Sequence, residues 1–160
     1  MLPALAIAIL AAAAPLFARG SEGWFGLAPC ELCLWQRWPY WAGAALALLA
    51  ALVPAARRPL LALAGVAVLA SGAIGAFHVG VEQGWWPSPL PGCQAPRAAG
   101  PDAGLDDLMR SLAPIPNKPC DAPTHLIPGL PLSMAAMNLL YALGLGGLAL
   151  IWAARRGAPQ

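Results

Sequence analysis

The sequence predicts an all-α integral membrane protein, a bundle of four transmembrane helices with two loops outside the cytoplasm. Hydrophobic residues make up 59% of the chain and charged residues only 10%, whereas a soluble domain carries about 25% charge. The apolar residues gather in four runs, each close to the ~20 residues that cross a bilayer: about Leu2–Ala18, Trp38–Ala55, Leu60–Gly80 and Leu132–Ala154. We therefore expect one four-span domain over residues 1–160, with loops at about 19–37 and 81–131.

The first two runs each carry one feature that tests this assignment. The first run begins at residue 2, and a cleaved signal peptide is the alternative. Met1 is followed by no Lys or Arg, however, so the charged segment of a signal peptide is missing. The second run contains Pro39, which kinks a helix interior but is tolerated within a first turn.

The third and fourth runs are rich in small residues, which let helix backbones approach closely in a membrane bundle. Short connections make neighbouring helices antiparallel, so four spans predict a compact bundle. The small residues that we expect at helix contacts are Ser71, Gly72, Gly75, Ala76, Gly144, Gly146 and Gly147.

The basic residues predict the orientation of the bundle. If both termini lie on one side, that side carries Arg57, Arg58, Arg155 and Arg156 and no acid. The other side carries the remaining five basic residues and all seven acids. The positive-inside rule then places both termini in the cytoplasm and all four cysteines outside it, where disulfides persist. The chain has no basic stripe of the kind that binds nucleic acid.

Two further patterns lie in or beside the loops. Six of the seven tryptophans fall near the outer ends of the first three runs, which is typical of an aromatic belt at the lipid headgroups: Trp24, Trp35, Trp38, Trp41, Trp85 and Trp86. In the long loop, Leu105, Leu108, Met109 and Leu112 form one apolar stripe. This spacing predicts a short helix that lies on the membrane or on the bundle.

The four cysteines are the candidate reactive groups. Cys30 and Cys33 form a Cys-x-x-Cys at the mouth of the second run, and Cys93 and Cys120 lie in the Pro-rich long loop. The thiolate is the reactive form of cysteine, and its pKa falls near a helix N-terminus or beside a cation. Cys33 satisfies both conditions, because it precedes a helix and has Arg37 at i+4 on the same face.

Three alternatives to thiol–disulfide catalysis by this arrangement stay open. A zinc site would need a second closely spaced ligand pair, but Cys93 and Cys120 are far apart, with His125 the only other nearby ligand. Two structural disulfides would instead make this a non-enzymatic four-span protein with unreactive cysteines. A vitamin K epoxide reductase-like protein also has a Cys-x-x-Cys in a helical bundle. There we expect the motif on a late span and the other cysteine pair in an earlier loop, whereas here the order is reversed.

Four polar residues near the outer ends of the runs are candidates for supporting roles. Arg37 would ordinarily extend to the interface, but beside a thiol pair it can hold a thiolate or hydrogen-bond the oxygen of an electron acceptor. His78 lies at a similar depth, where a polar group is either functional or merely solvated. We expect Glu82, one turn later, to face water, and His125 to be an ordinary loop residue.

These residues together resemble the DsbB family of bacterial disulfide-bond formation proteins. The resemblance covers nearly the whole chain, including the number of spans, their orientation and the four cysteines. Its motifs are Pro29-Cys30-x-x-Cys33-x-x-Gln36-Arg37, His78 near the end of the third run, Trp86-Pro87-x-Pro89-x-x-x-Cys93, and Cys120-Asp121 ahead of Leu132-Ser133-Met134.

The resemblance implies a quinone-dependent thiol–disulfide oxidoreductase of the bacterial inner membrane, with its cysteines in the periplasm. It would reoxidise a DsbA-like thioredoxin-fold oxidase and pass the electrons to ubiquinone or menaquinone, in the system that keeps the periplasm oxidising. By position, the partner's thiolate would attack Cys93, the released Cys120 would attack Cys30, and Cys33 would be left as a thiolate. The resemblance implies no metal, and the quinone-binding residues that it implies are Arg37 and His78.

Overall fold

The computed structural model describes residues 1–90, 93, 118–127 and 129–155. Within these ranges every regular element is a helix and no strand is present, so the predicted all-α class is confirmed. The predicted short helix at 105–112 lies outside the described residues. The helices are α1 (Leu2–Phe25), α2 (Glu31–Trp35), α3 (Arg37–Leu52), α4 (Arg57–Glu82) and α5 (Met134–Ala154), with a 3-10 turn at Pro54–Ala56.

The described helices fit a multi-pass membrane protein. Three segments are long and apolar enough to cross a bilayer, namely Leu2–Phe25, Pro54–Glu82 and Met134–Ala154. The shorter α3, of 16 residues, packs among them as a further helix. The six tryptophans that we assigned to an aromatic belt are all exposed on the outside of the bundle.

Two helix boundaries decide what reaches the outer end of the bundle. The first helix continues beyond Ala18 and ends at Gly26, whose φ of 64° lies in the left-handed region that glycine adopts without strain. This extension carries the last turns of α1 to the level of the cysteines. The third helix begins at Arg37, which places Pro39 in its first turn, where proline costs no intrahelical hydrogen bond.

Glycines bring α4 and α5 into close contact. A Cβ atom added to Gly146 would lie 3.0 Å from the carbonyl oxygen of Gly65, and one added to Gly72 would lie 2.9 Å from the facing helix. A Cβ added to Gly144 or Gly147 would meet nothing within 4 Å among the described residues. The prediction that the small residues of the fourth run lie at a helix contact is therefore right for Gly146 and wrong for these two.

Polar hydrogen bonds join three helices beneath the cysteines. Ser71 on α4 is fully buried, and its Oγ donates to the carbonyl oxygen of Gln36 at 2.7 Å. Asn138 on α5 donates from Nδ2 to the carbonyl oxygen of Ser71 at 3.2 Å. Because buried polar groups are costly when unpaired, these bonds fix α3, α4 and α5 against one another.

The opposite end of the bundle is basic. The Nε of Arg58, in the first turn of α4, donates to the carbonyl oxygen of Ala153 at 3.0 Å. The turn that carries Arg57 and Arg58 therefore lies beside the end of α5 and Arg155. Residues that bind the last carbonyls of a helix also complement its dipole.

Candidate active site

The first cysteine pair sits at the start of α2, and one of its sulfurs caps that helix. Cys30 has an extended backbone, with φ −90° and ψ 169°, and its Sγ accepts a hydrogen bond from the backbone N–H of Cys33 at 3.2 Å. The two sulfurs lie 2.6 Å apart and are not joined in a disulfide. Cys30 is buried, whereas Cys33 is half-buried.

The surroundings give the two thiols opposite acidities. The hydrogen bond from the Cys30 thiol lowers the pKa of Cys33, and the charge of Arg37 lowers it further, against the opposing effect of burial. The same hydrogen bond and burial raise the pKa of Cys30. Cys33 is therefore the more acidic thiol of the pair, in the direction that the sequence led us to expect.

The second cysteine pair is joined and docked against the first. Cys93 and Cys120 form a disulfide, and the backbone N–H of Cys120 donates to the carbonyl oxygen of Cys93 at 3.1 Å. The segment is tied to the first pair by Lys118, whose N–H donates to the carbonyl oxygen of Pro29 at 3.3 Å. One apolar cluster contains both pairs, and its buried members are Cys30, Leu32, Val81, Cys93 and Cys120.

His78 lies between the two pairs. Its Nε2 is 3.2 Å from the carbonyl oxygen of Cys120 and 3.5 Å from the Sγ of Cys30. A carbonyl oxygen can only accept, so Nε2 carries the hydrogen, and Nδ1 accepts from Nε2 of Gln36 at 2.9 Å. With 2% of its surface exposed, His78 is part of the site rather than a solvated interfacial residue.

Glu82 corrects one prediction. We expected this residue to face water, but its side chain is only 4% exposed. One carboxylate oxygen accepts from the hydroxyl of Ser133 at 2.5 Å, and the other lies 3.9 Å from Nε2 of His78. The segment that leads into α5 covers this end of α4, so the face that follows His78 is buried.

Arg37 is held by an acid that the sequence did not single out. Its Nη2 donates to the carboxylate of Glu22, on the extended last turns of α1. The Nε of Arg37 is buried and has no hydrogen-bond partner among the described residues. Glu22 is one of only two acids in the predicted first loop, which is the one signal that could have indicated it.

An apolar cavity of about 450 Å³ opens beside Cys33. One wall is α1 from Ala13 to Glu22, and another is α5 from Met134 to Tyr141. The rest of the lining includes Cys33, Gln36, Arg37 and Tyr40, and the first two walls add the polar side chains of Glu22 and Asn138. The hydroxyl of Tyr40, like Nε of Arg37, is buried and has no hydrogen-bond partner among the described residues.

The structure thus gathers the six predicted site residues at one end of the bundle but divides them between two surfaces. Cys33 and Arg37 line the cavity, whereas His78 is absent from its lining and contacts Cys30 and Cys120 instead. His125 is exposed, as expected of an ordinary loop residue.

Comparison with known families identifies the family of the chain. The family described as Disulfide bond formation protein DsbB matches residues 2–152, a range that includes all four cysteines. The chain belongs to the DsbB family. Members of the DsbB family are helical membrane oxidoreductases that generate disulfide bonds, so this DsbB family protein is a membrane disulfide bond formation protein. Neither the curated proteins nor the solved structures contain a significant match to the chain.

Proposed function

We propose that this protein reoxidises a DsbA-like periplasmic oxidase and delivers the electrons to a membrane quinone. The observation that carries the proposal is the arrangement of the sulfurs. Both cysteine pairs lie in one buried cluster, and only Cys33 among the four lines the apolar cavity. Electrons that enter at the loop disulfide therefore have a short path to one thiolate on the cavity wall.

The relay consists of thiol–disulfide exchanges in which each new bond replaces an old one. A partner thiolate attacks Cys93, which breaks the Cys93–Cys120 bond and releases the Cys120 thiolate. The partner's second thiol then attacks the mixed disulfide. This releases Cys93 and leaves the partner with a disulfide between its own two cysteines. Cys120 attacks Cys30 of an oxidised Cys30–Cys33 pair and releases the Cys33 thiolate. Cys93 finally attacks Cys120, which restores their disulfide and releases Cys30.

The structure has the pattern of bonds that this relay leaves behind. Cys93 and Cys120 are joined, whereas Cys30 and Cys33 are free thiols. The lowered pKa of Cys33 makes it the better leaving group of the first pair, and a sulfur with a low pKa leaves faster. The raised pKa of Cys30 favours its return to the protonated form once it is released.

His78 is placed to assist the exchange between the pairs. Its Nε2–H lies 3.5 Å from Cys30, the sulfur that is released as a thiolate in the last step. A donor at that point stabilises the developing charge, and the amide of Gln36 on Nδ1 holds the ring in the required tautomer. Contact of His78 with a quinone, which the family resemblance implies, stays a prediction.

The cavity residues suit a quinone. Its walls are mostly apolar, as in most small-molecule sites, and its lining includes Arg37 and Tyr40, each with a buried polar atom that has no hydrogen-bond partner among the described residues. A bound quinone would supply the capacity to accept two electrons and two protons. Arg37 would hold a quinone oxygen there, and its charge also lowers the pKa of Cys33.

We further propose that the cysteine end faces the periplasm and that both termini are cytoplasmic. The support is the clustering of charge along the bundle. Arg58 bonds to the end of α5, so Arg57, Arg58 and Arg155 lie at the end remote from the cysteines. Basic residues on that side agree with the positive-inside rule.

Quinone reduction by the purified protein, driven by a reduced DsbA-like oxidase, tests the proposal. We expect turnover in the wild type and none in Cys33→Ala, which should still form a mixed disulfide with the partner through Cys93. Arg37→His should mainly weaken the use of quinone. Wild-type turnover by Cys33→Ala would refute the assignment of Cys33. If the disulfides of this protein do not exchange with the thiols of the partner, the result favours the non-enzymatic alternative.

A further inference from the structure

The structure joins His78 to the Cys30–Cys33 pair in a way that the sequence does not indicate. The two sulfurs and one ring nitrogen of His78 all lie within 4.8 Å of one another. Cys30 and Cys33 lie at the start of α2, whereas His78 lies on α4, at least 45 positions later in the chain. The sequence had offered only His125 as a nearby nitrogen ligand. We propose that the reduced pair and His78 form a three-ligand binding site for a thiophilic divalent cation such as Zn²⁺ or Cd²⁺.

The distances suit a tetrahedral cation. With Zn–S near 2.3 Å and Zn–N near 2.05 Å, a sulfur and a nitrogen ligand of one tetrahedron are about 3.5 Å apart and two sulfurs about 3.8 Å. Cys30 Sγ lies 3.5 Å from Nε2 of His78, which matches the first separation. The two sulfurs are closer, at 2.6 Å, but Cys33 is half-buried beside the cavity and has room to rotate outward.

The charges suit a divalent cation as well. Two thiolates and a neutral imidazole cancel a charge of +2, which matters because Cys30 and His78 are almost fully buried and an uncompensated charge is costly there. The fourth position is left for water or for Glu82, whose carboxylate oxygen lies 3.9 Å from Nε2 of His78. On binding, the cation takes the place of the protons of the two thiols, which are released to solution.

Gln36 can hold the histidine in the tautomer that a cation needs. Coordination through Nε2 requires the ring hydrogen on Nδ1, and His78 then gives up its hydrogen bond to the Cys120 carbonyl. Rotation of the Gln36 amide by half a turn presents its oxygen to Nδ1, which now donates. Such a partner orients the ligand and contributes to metal affinity.

This site would exist only in one redox state. A Cys30–Cys33 disulfide has no thiolate to offer, so the cation binds only the reduced pair and keeps both sulfurs out of exchange. If the proposed function holds, the cation inhibits turnover by trapping the enzyme after it has accepted electrons, and a chelator restores activity.

The experiment uses the full chain in detergent with Cys93→Ser and Cys120→Ser, so that only the first pair can supply thiolates. The reduced protein, freed of reductant, is titrated with Co²⁺ and followed by its sulfur-to-cobalt charge-transfer absorption, and Zn²⁺ is then added in competition. We expect one cation per chain. Mutation of a residue that only orients a metal ligand typically lowers metal affinity at least about tenfold. His78→Gln removes a ligand itself, so it should weaken the affinity for the cation by at least about tenfold.

The second histidine of the chain gives a matched control. His125 is exposed, so His125→Gln should leave the titration unchanged, and the oxidised protein should show no absorption. X-ray absorption of the zinc-loaded parent, which does not depend on the folding of any histidine variant, should show two sulfur ligands and at least one nitrogen. Any one of three results would overturn the proposal. They are an unchanged cation affinity in His78→Gln, a stoichiometry of one cation per two chains, and an X-ray absorption spectrum that shows sulfur ligands alone. Cation binding to this variant, together with no quinone turnover by the wild-type protein, would leave this site standing and remove the proposed function.

Discussion

Replacing Gly146 with alanine places one methyl group where α4 and α5 are closest. The new Cβ would lie 2.6 Å from Cγ of Leu69 and 3.0 Å from the carbonyl oxygen of Gly65. Neither atom is the free end of a flexible side chain, so the two helices must move apart by several tenths of an ångström. Overpacking of this kind costs about 1–3 kcal/mol.

Two neighbouring glycines isolate this cost from the effect of alanine on the helix itself. Gly144→Ala and Gly147→Ala also lie in α5, but their added methyl groups meet nothing within 4 Å in the part of the chain that the structure describes. All three variants share the gain in helix propensity, about 1 kcal/mol, and it cancels when they are compared. Gly146→Ala should therefore be less stable than either neighbour variant by about 1–3 kcal/mol.

Reversible unfolding in mixed detergent micelles, followed by circular dichroism, measures the three free energies of unfolding. The slopes of the transitions should agree, because a single methyl group changes little of the surface exposed on unfolding. Three variants of equal stability would show that α4 and α5 do not meet at Gly146, and the close packing described above would be refuted.

Two further predictions concern the site. Because a neighbouring thiol and Arg37 lower the pKa of Cys33, alkylation of reduced protein at Cys33 should persist at a pH where ordinary thiols are protonated. Arg37→Gln should move this profile to higher pH, and an unmoved profile would exclude any electrostatic role for the arginine. Ser133→Ala removes both the N-cap of α5 and the donor to Glu82 and should cost about 1–3 kcal/mol of unfolding free energy. Ser88→Ala, whose oxygen accepts one hydrogen bond in a loop, should cost less, and equal costs would contradict the pairing with Glu82.

Local patterns allowed the sequence to predict the first cysteine pair well. Cys30, Cys33 and Arg37 lie within about two helical turns, so a helix start is enough to place them. The structure adds that the sulfur of Cys30 itself caps α2. Such a cap is a local interaction, although the sequence pattern usually indicates it through Ser, Thr, Asp or Asn.

Contacts between segments that are distant in the sequence could not be predicted from such local patterns. Hydropathy ended the first helix at Ala18, but α1 continues to Phe25 despite Gly20 and Gly23, and this extension brings Glu22 to Arg37. The spacing of His78 and Glu82 put both on one face of α4. It could not show that the segment around Ser133 covers this face, which is why the expected exposure of Glu82 was wrong.

The burial of the loop disulfide has a kinetic meaning. Exchange requires a thiolate to reach a sulfur, yet Cys93 is 3% exposed and Cys120 not at all. A small free thiol therefore reacts only during rare openings of the surrounding chain, much as a buried amide exchanges its hydrogen. A protein that docks and displaces this covering does not wait for such an opening. Burial alone thus protects the disulfide from small thiols in solution. Reductants are then distinguished by how fast they reach the disulfide rather than by their reduction potentials.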